Sequence, residues 1–214
     1  MIDPRIEELL EEAYLCQVEQ AVIPCDAAAD VVKAAQDMGY FEASPAAAPH
    51  IAGPLTPMGL EMARQVVRRH RLAECLLHDV LAVREETIDQ DACQFEHIIR
   101  SDVEEKICSL LGHPRLCPHG KAIPPAPCCE HARADQIQDV SPLCDGKAGS
   151  EGSVAYLSTR DAREVQKLMA IGVLPGMHIR LLRKFPSFVF EVGYSQFTVD
   201  RELAGKIVVH WKKA

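Results

Sequence analysis

The spacing of apolar residues changes twice along this 214-residue chain, and the changes confine it to a helical part joined to a small β part. Up to about residue 111 the apolar positions recur every three or four residues, the helical period. Residues 112–150 carry Pro, Gly, Cys and His in place of periodic apolar positions. From Ser153 the pattern becomes short and alternating: Val154–Leu157, Ile179–Leu182, Phe188–Val192, Phe197–Val199 and Ile207–His210 read as strands. A short helix over 162–170 and a turn at Leu174-Pro175-Gly176 interrupt them. Several short strands in so little chain predict a small barrel. Four regions follow: 1–55, 56–112, a Cys/Pro-rich linker over 113–150, and 151–214.

Within the helical part, Pro4 and the acids after it predict an opening helix over 4–20, since the N-terminal end of the helix dipole favours negative charge. Ile6, Leu9, Leu10, Ala13 and Tyr14 form its apolar stripe. A second helix is expected from Cys25-Asp26, with Asp26 as N-cap, through Val31, Val32, Ala35 and Met38 to Gly39. Residues 40–55 suit an irregular ribbon. Thr56 as N-cap and Pro57 at the first helical position restart helix to Arg71 or beyond. Residues 57–81 hold more apolar positions than one packing face needs, which is compatible with a subunit interface. Further helices are expected from near Asp89 and from Ser101-Asp102.

Two stretches of this region carry chemistry. In Asp91-Ala92-Cys93-Gln94-Phe95-Glu96-His97, a thiol, a carboxylate and an imidazole fall on one helix face. In Arg69-His70-Arg71-Leu72-Ala73-Glu74, a His and a Glu stand four apart. One such face alone reads as a solvated helix surface, whereas two in one helical region point to a transition-metal site. The nine cysteines read as metal ligands or buried residues of a reducing compartment. Cys108, Cys117, Cys128 and Cys129 crowd the linker and suggest a zinc or iron–sulfur site, with core or loop thiols as the plain alternative. Adjacent cysteines do not readily share one metal, so Cys117 and one of the pair are the favoured ligands. Cys16, Cys25 and Cys75 read as core or surface residues. His50, His78, His113, His178 and His210 have no partner at ligand spacing and read as ordinary.

The net charge of −8 is concentrated at the start of the chain. Residues 1–59 contain ten acids and only Arg5 and Lys33 as bases, while the remainder sums to zero. A surface that grips phosphates needs the opposite sign. No apolar run is long enough to span a bilayer and the N-terminus lacks a signal-peptide pattern, so a cytoplasmic protein is expected.

The ordered set Leu55-Thr56-Pro57-Met58-Gly59, Arg69–Glu74, Ala92–His97, Ser101-Asp102-Val103-Glu104 and Cys117-Pro118-His119-Gly120 with Ile123-Pro124 resembles the diphtheria-toxin-repressor family of metal-dependent transcriptional regulators. Leu168–Gly176 resembles the SH3-like FeoA-type domain that ends many members. The resemblance implies a mainly α fold, with a degenerate winged-helix head and a helical metal-binding and dimerisation domain, followed by a small SH3-like all-β barrel. It implies a primary site built from Cys93, Glu96 and His97 with Glu8 and Glu11 of the opening helix. It implies an ancillary site from His70 and Glu74, with Asp89 where the family has a later His. Glu164 and Gln166 are weak candidates for further ligands from the FeoA-type domain. The sensed ion would be Fe(II) or Mn(II), with Zn(II) also suited to the donor set. The protein would act as a homodimer on operator DNA.

The head departs from that pattern. Tyr14 to Thr56 is too short for all parts of a winged helix-turn-helix. Residues 26–38 take the recognition-helix position, where Lys33 and Gln36 are the candidate DNA contacts, and the wing over 43–54 has no Lys or Arg. A second reading is therefore a metal-binding dimer without working DNA heads, acting through a protein partner at the SH3-like domain or as a metal buffer. An enzyme is not expected, because no phosphate-binding glycine loop or Ser-His-Asp context is present.

Overall fold

In a computed structural model of the chain, helices come first and strands second. It describes all residues except 1, 23–26, 43–51, 82, 135–139, 160, 213 and 214, with side chains at 131–134 and 162 also left aside. Helix α1 spans Pro4–Gln17, where the Asp3 carboxylate accepts from the Arg5 N–H and Pro4 occupies the first turn. It buries Ile6, Leu9, Leu10 and Ala13. Helix α2, Ala29–Asp37, packs Val31, Val32 and Ala35 into the same core. The expected cap at Asp26 and most of the wing lie outside the described residues. A bridge between Phe41 and Leu55 closes the head's base.

Helix α3, Pro57–Cys75, is the axis of the helical part and continues into a π-helical turn at Leu76–Val80. Its start explains the Leu-Thr-Pro-Met-Gly run. Thr56 Oγ1 accepts from the Gly59 N–H at 3.0 Å and donates to the Gly39 carbonyl at 2.6 Å. A Cβ on Gly59 would stand 1.9 Å from the Tyr40 carbonyl oxygen, so only glycine lets the head's backbone approach this helix. Helices α4 (Glu85–Glu96), α5 (Ser101–Leu110) and α6 (Pro127–Ala134) follow.

The apolar excess of residues 57–81 is mostly used inside the chain. Ala63 joins the head core, while Leu72, Ala73, Cys75 and Leu77 join a second core with Ala92, Ile107, Cys108 and Ile123. One helix serving two cores needs two apolar faces. Leu60 and Leu81 remain exposed.

The linker is more ordered than its composition predicts. It contains α6, and its end forms strand β1 (Val140–Pro142), so the β domain begins before residue 151. Strands β2 (Glu151–Leu157), β3 (His178–Arg183), β4 (Phe188–Val192), β5 (Ser195–Val199) and β6 (Ile207–Trp211) complete one antiparallel sheet ordered β1-β6-β2-β3-β4-β5. Register shifts in β2 at Val154/Tyr156 and in β3 at Leu181/Arg183 bend it around a single core. Helix α7 (Ala162–Ala170) adds Leu168 to that core, and a short α8 (Arg201–Gly205) adds Leu203 and Ala204. Among the described residues no helix is long and apolar enough to cross a membrane.

Candidate metal centre

Three helices converge on one strip of titratable side chains. Helix α1 contributes Glu7, Glu8 and Glu11, whose three- and four-residue spacings hold them on the side facing α3. Helix α3 contributes Arg69, His70 and Glu74. Helix α4 contributes Asp89, Cys93 and Glu96, with His97 at its C-cap. Glu96 is fully buried and sits between two imidazoles. Its Oε2 lies 2.7 Å from His70 Nδ1, and its Oε1 lies 3.8 Å from His97 Nε2. On its other nitrogen, His70 Nε2 approaches Glu74 Oε1 at 3.4 Å and Asp89 Oδ1 at 3.5 Å. Glu74 Oε1 in turn meets His119 Nδ1 at 2.8 Å. Imidazole and carboxylate thus alternate from His97 through Glu96, His70 and Glu74 to His119.

Among the described residues, donor atoms close enough to share an ion form four sets along this strip, the last three of them linked through His70 and Glu74. These are Glu8, Cys93 and His97; Glu11, His70 and Glu96; His70, Glu74 and Asp89; and Glu74, Cys117 and His119. Their fit to a divalent ion can be tested on the buried polar atoms. Glu96 Oε1, Glu74 Oε2 and His97 Nε2 are buried with no hydrogen-bond partner among the described residues. Such atoms cost about 1–3 kcal/mol each when left unpaired. All three belong to the strip. At His97 the arrangement is that of an oriented ligand: Glu7 Oε2 accepts from Nδ1 at 2.6 Å, which leaves Nε2 as the nitrogen free to bind. Glu7 is itself fixed by Arg69 at 2.6 Å. The residues fit a divalent transition ion.

Electrostatics agree. Burial opposes a charge on His70, but hydrogen bonds to Glu74 and Glu96 and the charge of Glu11 raise its pKa to about 11. Burial pushes Glu11 up to about 7, with His70 and Arg71 opposing and Glu96 and Asp89 adding to the rise. At Glu74 burial is outweighed by hydrogen bonds from His70, Cys117 and His119, so its pKa is lowered. In the metal-free protein an imidazolium sits among carboxylates and holds the position of a cation.

The eight residues expected to form the primary and ancillary sites (Glu8, Glu11, His70, Glu74, Asp89, Cys93, Glu96 and His97) lie in this strip, although the division into two sites differs. Glu11 sides with His70 and Glu96, apart from Cys93 and His97, and His70 contributes to both halves. Glu7 and His119 are absent from the sequence reading. Glu7 is masked there by the acids of the first helical turn. His119 had a signal in the Cys117-Pro118-His119-Gly120 run, whose tight turn (Gly120 N–H to Cys117 O, 2.8 Å) presents both side chains to Glu74. The linker reading needs correction at two points. Cys117 belongs with Glu74 and His119, not with Cys108, Cys128 and Cys129. The fourth member of that thiol cluster is His113, which has no ligand spacing in sequence but is brought in by the turn after α5. In the β domain Glu164 is taken up by Lys206 at 2.6 Å and by Thr159. Of the candidate DNA contacts on α2, Lys33 is exposed and Gln36 half-buried.

Residues 56–125 match the family model described as "Iron dependent repressor, metal binding and dimerisation domain", and residues 141–210 match the FeoA domain. Over these two stretches the chain is similar to regulators of the diphtheria-toxin-repressor family. Similar proteins include the iron-dependent repressor IdeR of Mycobacterium leprae, 43% identical over 70 residues, which is 33% of this chain and 30% of that repressor. The match therefore spans under a third of the mycobacterial protein's length. The diphtheria toxin repressor of Corynebacterium jeikeium is 28% identical over 173 residues, 72% of each chain. Among solved structures, the manganese regulator SloR aligns over 99% of this chain and 100% of its own, at 20% identity and a TM-score of 0.50. At that identity the likeness speaks for the fold.

Proposed function

We propose that this chain is a metal-dependent transcriptional regulator that senses iron or manganese as a cytoplasmic homodimer. The observation that carries the reading is the position of α1. The head supplies Glu8 and Glu11 to a centre whose other donors, His70, Cys93, Glu96 and His97, lie on α3 and α4. An ion there would contribute positive charge that all three helices share. Glu7 orients His97, and Arg69 and Arg71 hold α1 and the residues after it through Glu7 and Glu19. Ion binding would then shift the population of head orientations, which sets the spacing of two DNA-reading heads in a dimer. Carboxylates and imidazoles with a single thiolate suit Fe(II) or Mn(II), and the relatives are named as iron-dependent or manganese regulators. Asp89, a harder donor than histidine, places the second set of ligands, His70 and Glu74, toward the same ions.

A second reading keeps the metal-sensing dimer but gives it a protein partner, or a buffering role, in place of DNA. The chemistry of α2 favours it, since Lys33 is flanked on that helix by Asp30 and Asp37. The deciding experiment is binding of the purified protein to the DNA upstream of its own gene at low salt, with and without Fe(II), Mn(II) and Zn(II). Metal-dependent binding that weakens steeply with salt supports the regulator. Stoichiometric metal uptake with no DNA binding under any of the three ions supports the second reading.

A further inference from the structure

We propose that Cys108, His113, Cys128 and Cys129 form a tetrahedral zinc(II) site, separate from the helical metal centre, that clips α6 of the linker onto the end of α5. The Sγ atoms of Cys108 and Cys129 are 3.6 Å apart, those of Cys128 and Cys129 are 3.9 Å apart, and His113 Nδ1 is 3.4 Å from Cys108 Sγ. All four donor atoms lie within 4.8 Å of one another. Zinc–sulfur bonds of about 2.3 Å and zinc–nitrogen bonds of about 2.05 Å give tetrahedral edges of roughly 3.8 Å and 3.6 Å. The measured edges are already near those values. The four ligands of an iron–sulfur cluster are divided between two or more irons, so pairs on different irons must stand wider apart than the 4.8 Å that encloses all four donors here, and the geometry points to a single ion.

The local backbone is shaped for this set. Helix α5 ends in a Schellman turn, in which the His113 N–H reaches the Cys108 carbonyl at 2.8 Å and the Gly112 N–H reaches Ser109 at 3.1 Å. That turn puts His113 at φ +56°, a conformation a β-carbon makes costly, and folds its ring back over Cys108. Cys128 and Cys129 stand in the first turn of α6, at the positive end of its dipole, which favours thiolates. The buried guanidinium of Arg68 donates to Cys128 Sγ at 3.4 Å and would offset the net negative charge of three thiolates on Zn(II). The same guanidinium binds the Pro124 carbonyl at 2.6 Å and Glu104 at 2.5 Å. The ion would thus close both ends of the ribbon that carries Cys117 and His119 to Glu74.

The test uses full-length protein purified under reducing conditions. Zinc content is measured after dialysis against a chelator strong enough to strip the carboxylate-rich centre but too weak to strip a three-thiolate site, and Co(II) replaces zinc as a spectroscopic probe. The expected result is one retained zinc per chain and a Co(II) form with intense tetrahedral d–d bands and strong thiolate charge transfer. Cys128→Ser and His113→Ala should weaken zinc binding by roughly tenfold or more, while Cys93→Ser and Cys117→Ser leave it in place. Alkylation of the unmodified protein gives a readout free of folding defects: zinc should protect Cys108, Cys128 and Cys129, and stripping should expose Cys128 first. Loss of zinc from the folded, reduced wild type, acid-labile sulfide in the purified protein, or retention in both Cys128→Ser and His113→Ala would each overturn the assignment. None of these readouts involves DNA, so the outcome is independent of the regulator reading.

Discussion

Glu7→Gln is the sharpest probe of the proposed metal centre, because Glu7 would orient His97 without itself binding the ion. Its carboxylate accepts from His97 Nδ1 and from Arg69 Nη2, both at 2.6 Å. Glutamine keeps an acceptor of nearly the same shape but removes the charge that sets the ring and raises the basicity of Nε2. Loss of such an outer carboxylate costs about 10–100-fold in metal affinity, or roughly 1.4–2.7 kcal/mol. The charge-assisted bond to Arg69 weakens as well, so metal-free stability should fall by about 1–2 kcal/mol. The two effects are read separately: affinity by chelator competition with Mn(II) or Co(II), stability by urea denaturation in excess chelator. His97→Ala should lose binding at the Cys93 end of the strip altogether, while binding at His70, Glu74 and Asp89 persists in Glu7→Gln. A Glu7→Gln protein that binds metal within about twofold of wild type, while His97→Ala does not, would refute the orienting role.

Gly59→Ala gains about 1 kcal/mol of helix propensity but drives a Cβ against the Tyr40 carbonyl; a net loss of about 1–3 kcal/mol is expected as a lowered denaturation midpoint. Arg68→Met leaves Glu104 and the Pro124 carbonyl buried without their cation and should cost about 3–5 kcal/mol, whereas Arg68→Met with Glu104→Met should recover most of it in a double-mutant cycle. Metal-free stability should fall with rising pH. His70 has a folded pKa of about 11 against an ordinary 6.5, so its contribution is complete below 6.5 and lost as pH climbs through 11. Glu11, raised to about 7 from 4.5, acts in the same direction between those values. The stability gap between wild type and His70→Gln, followed by urea midpoints in chelator, should therefore close toward high pH, and saturating Mn(II) should flatten the wild-type profile.

Elements that bury an apolar stripe were legible in the sequence. The starts of α1 and α3 fall at Pro4 and Pro57, where a cap and a proline place them, and α5 starts at the expected Ser101 although no side chain caps it. The strands β3 to β6 lie within a residue or two of the alternating runs. What stayed hidden is held by residues that periodicity ignores. Helix α6 faces the core with Cys129 where a leucine would normally stand, and β1 is three residues long, pairing with β6 some seventy positions away. The candidate site was legible where donors share one helix, as at Cys93 and His97, although Glu96, read beside them, groups instead with Glu11 and His70. It was unreadable where folding brings them together, as for Glu7 with His97, His119 with Glu74, and His113 with Cys128 and Cys129.

Placing the head's acids also changes the weight of its charge. Summed over the sequence, the negative head repels a phosphate backbone. In the fold, Glu7, Glu8 and Glu11 face the metal centre and Glu19 is paired with Arg71 at 2.7 Å, so four of the ten acids of residues 1–59 are turned toward α3. The residues that neutralise them, Arg69, Arg71 and the ion itself, lie outside the head and do not enter its sum. What a DNA backbone would meet is the remainder, among which α2 offers Asp30 and Asp37 against Lys33. Repulsion from α2 is thus local, and Asp30→Asn with Asp37→Asn tests it directly. If α2 lies against DNA, the pair should raise affinity at low salt and steepen its salt dependence. If the double variant binds DNA no better than wild type while metal uptake is intact, α2 is not the reading surface and the partner lies elsewhere.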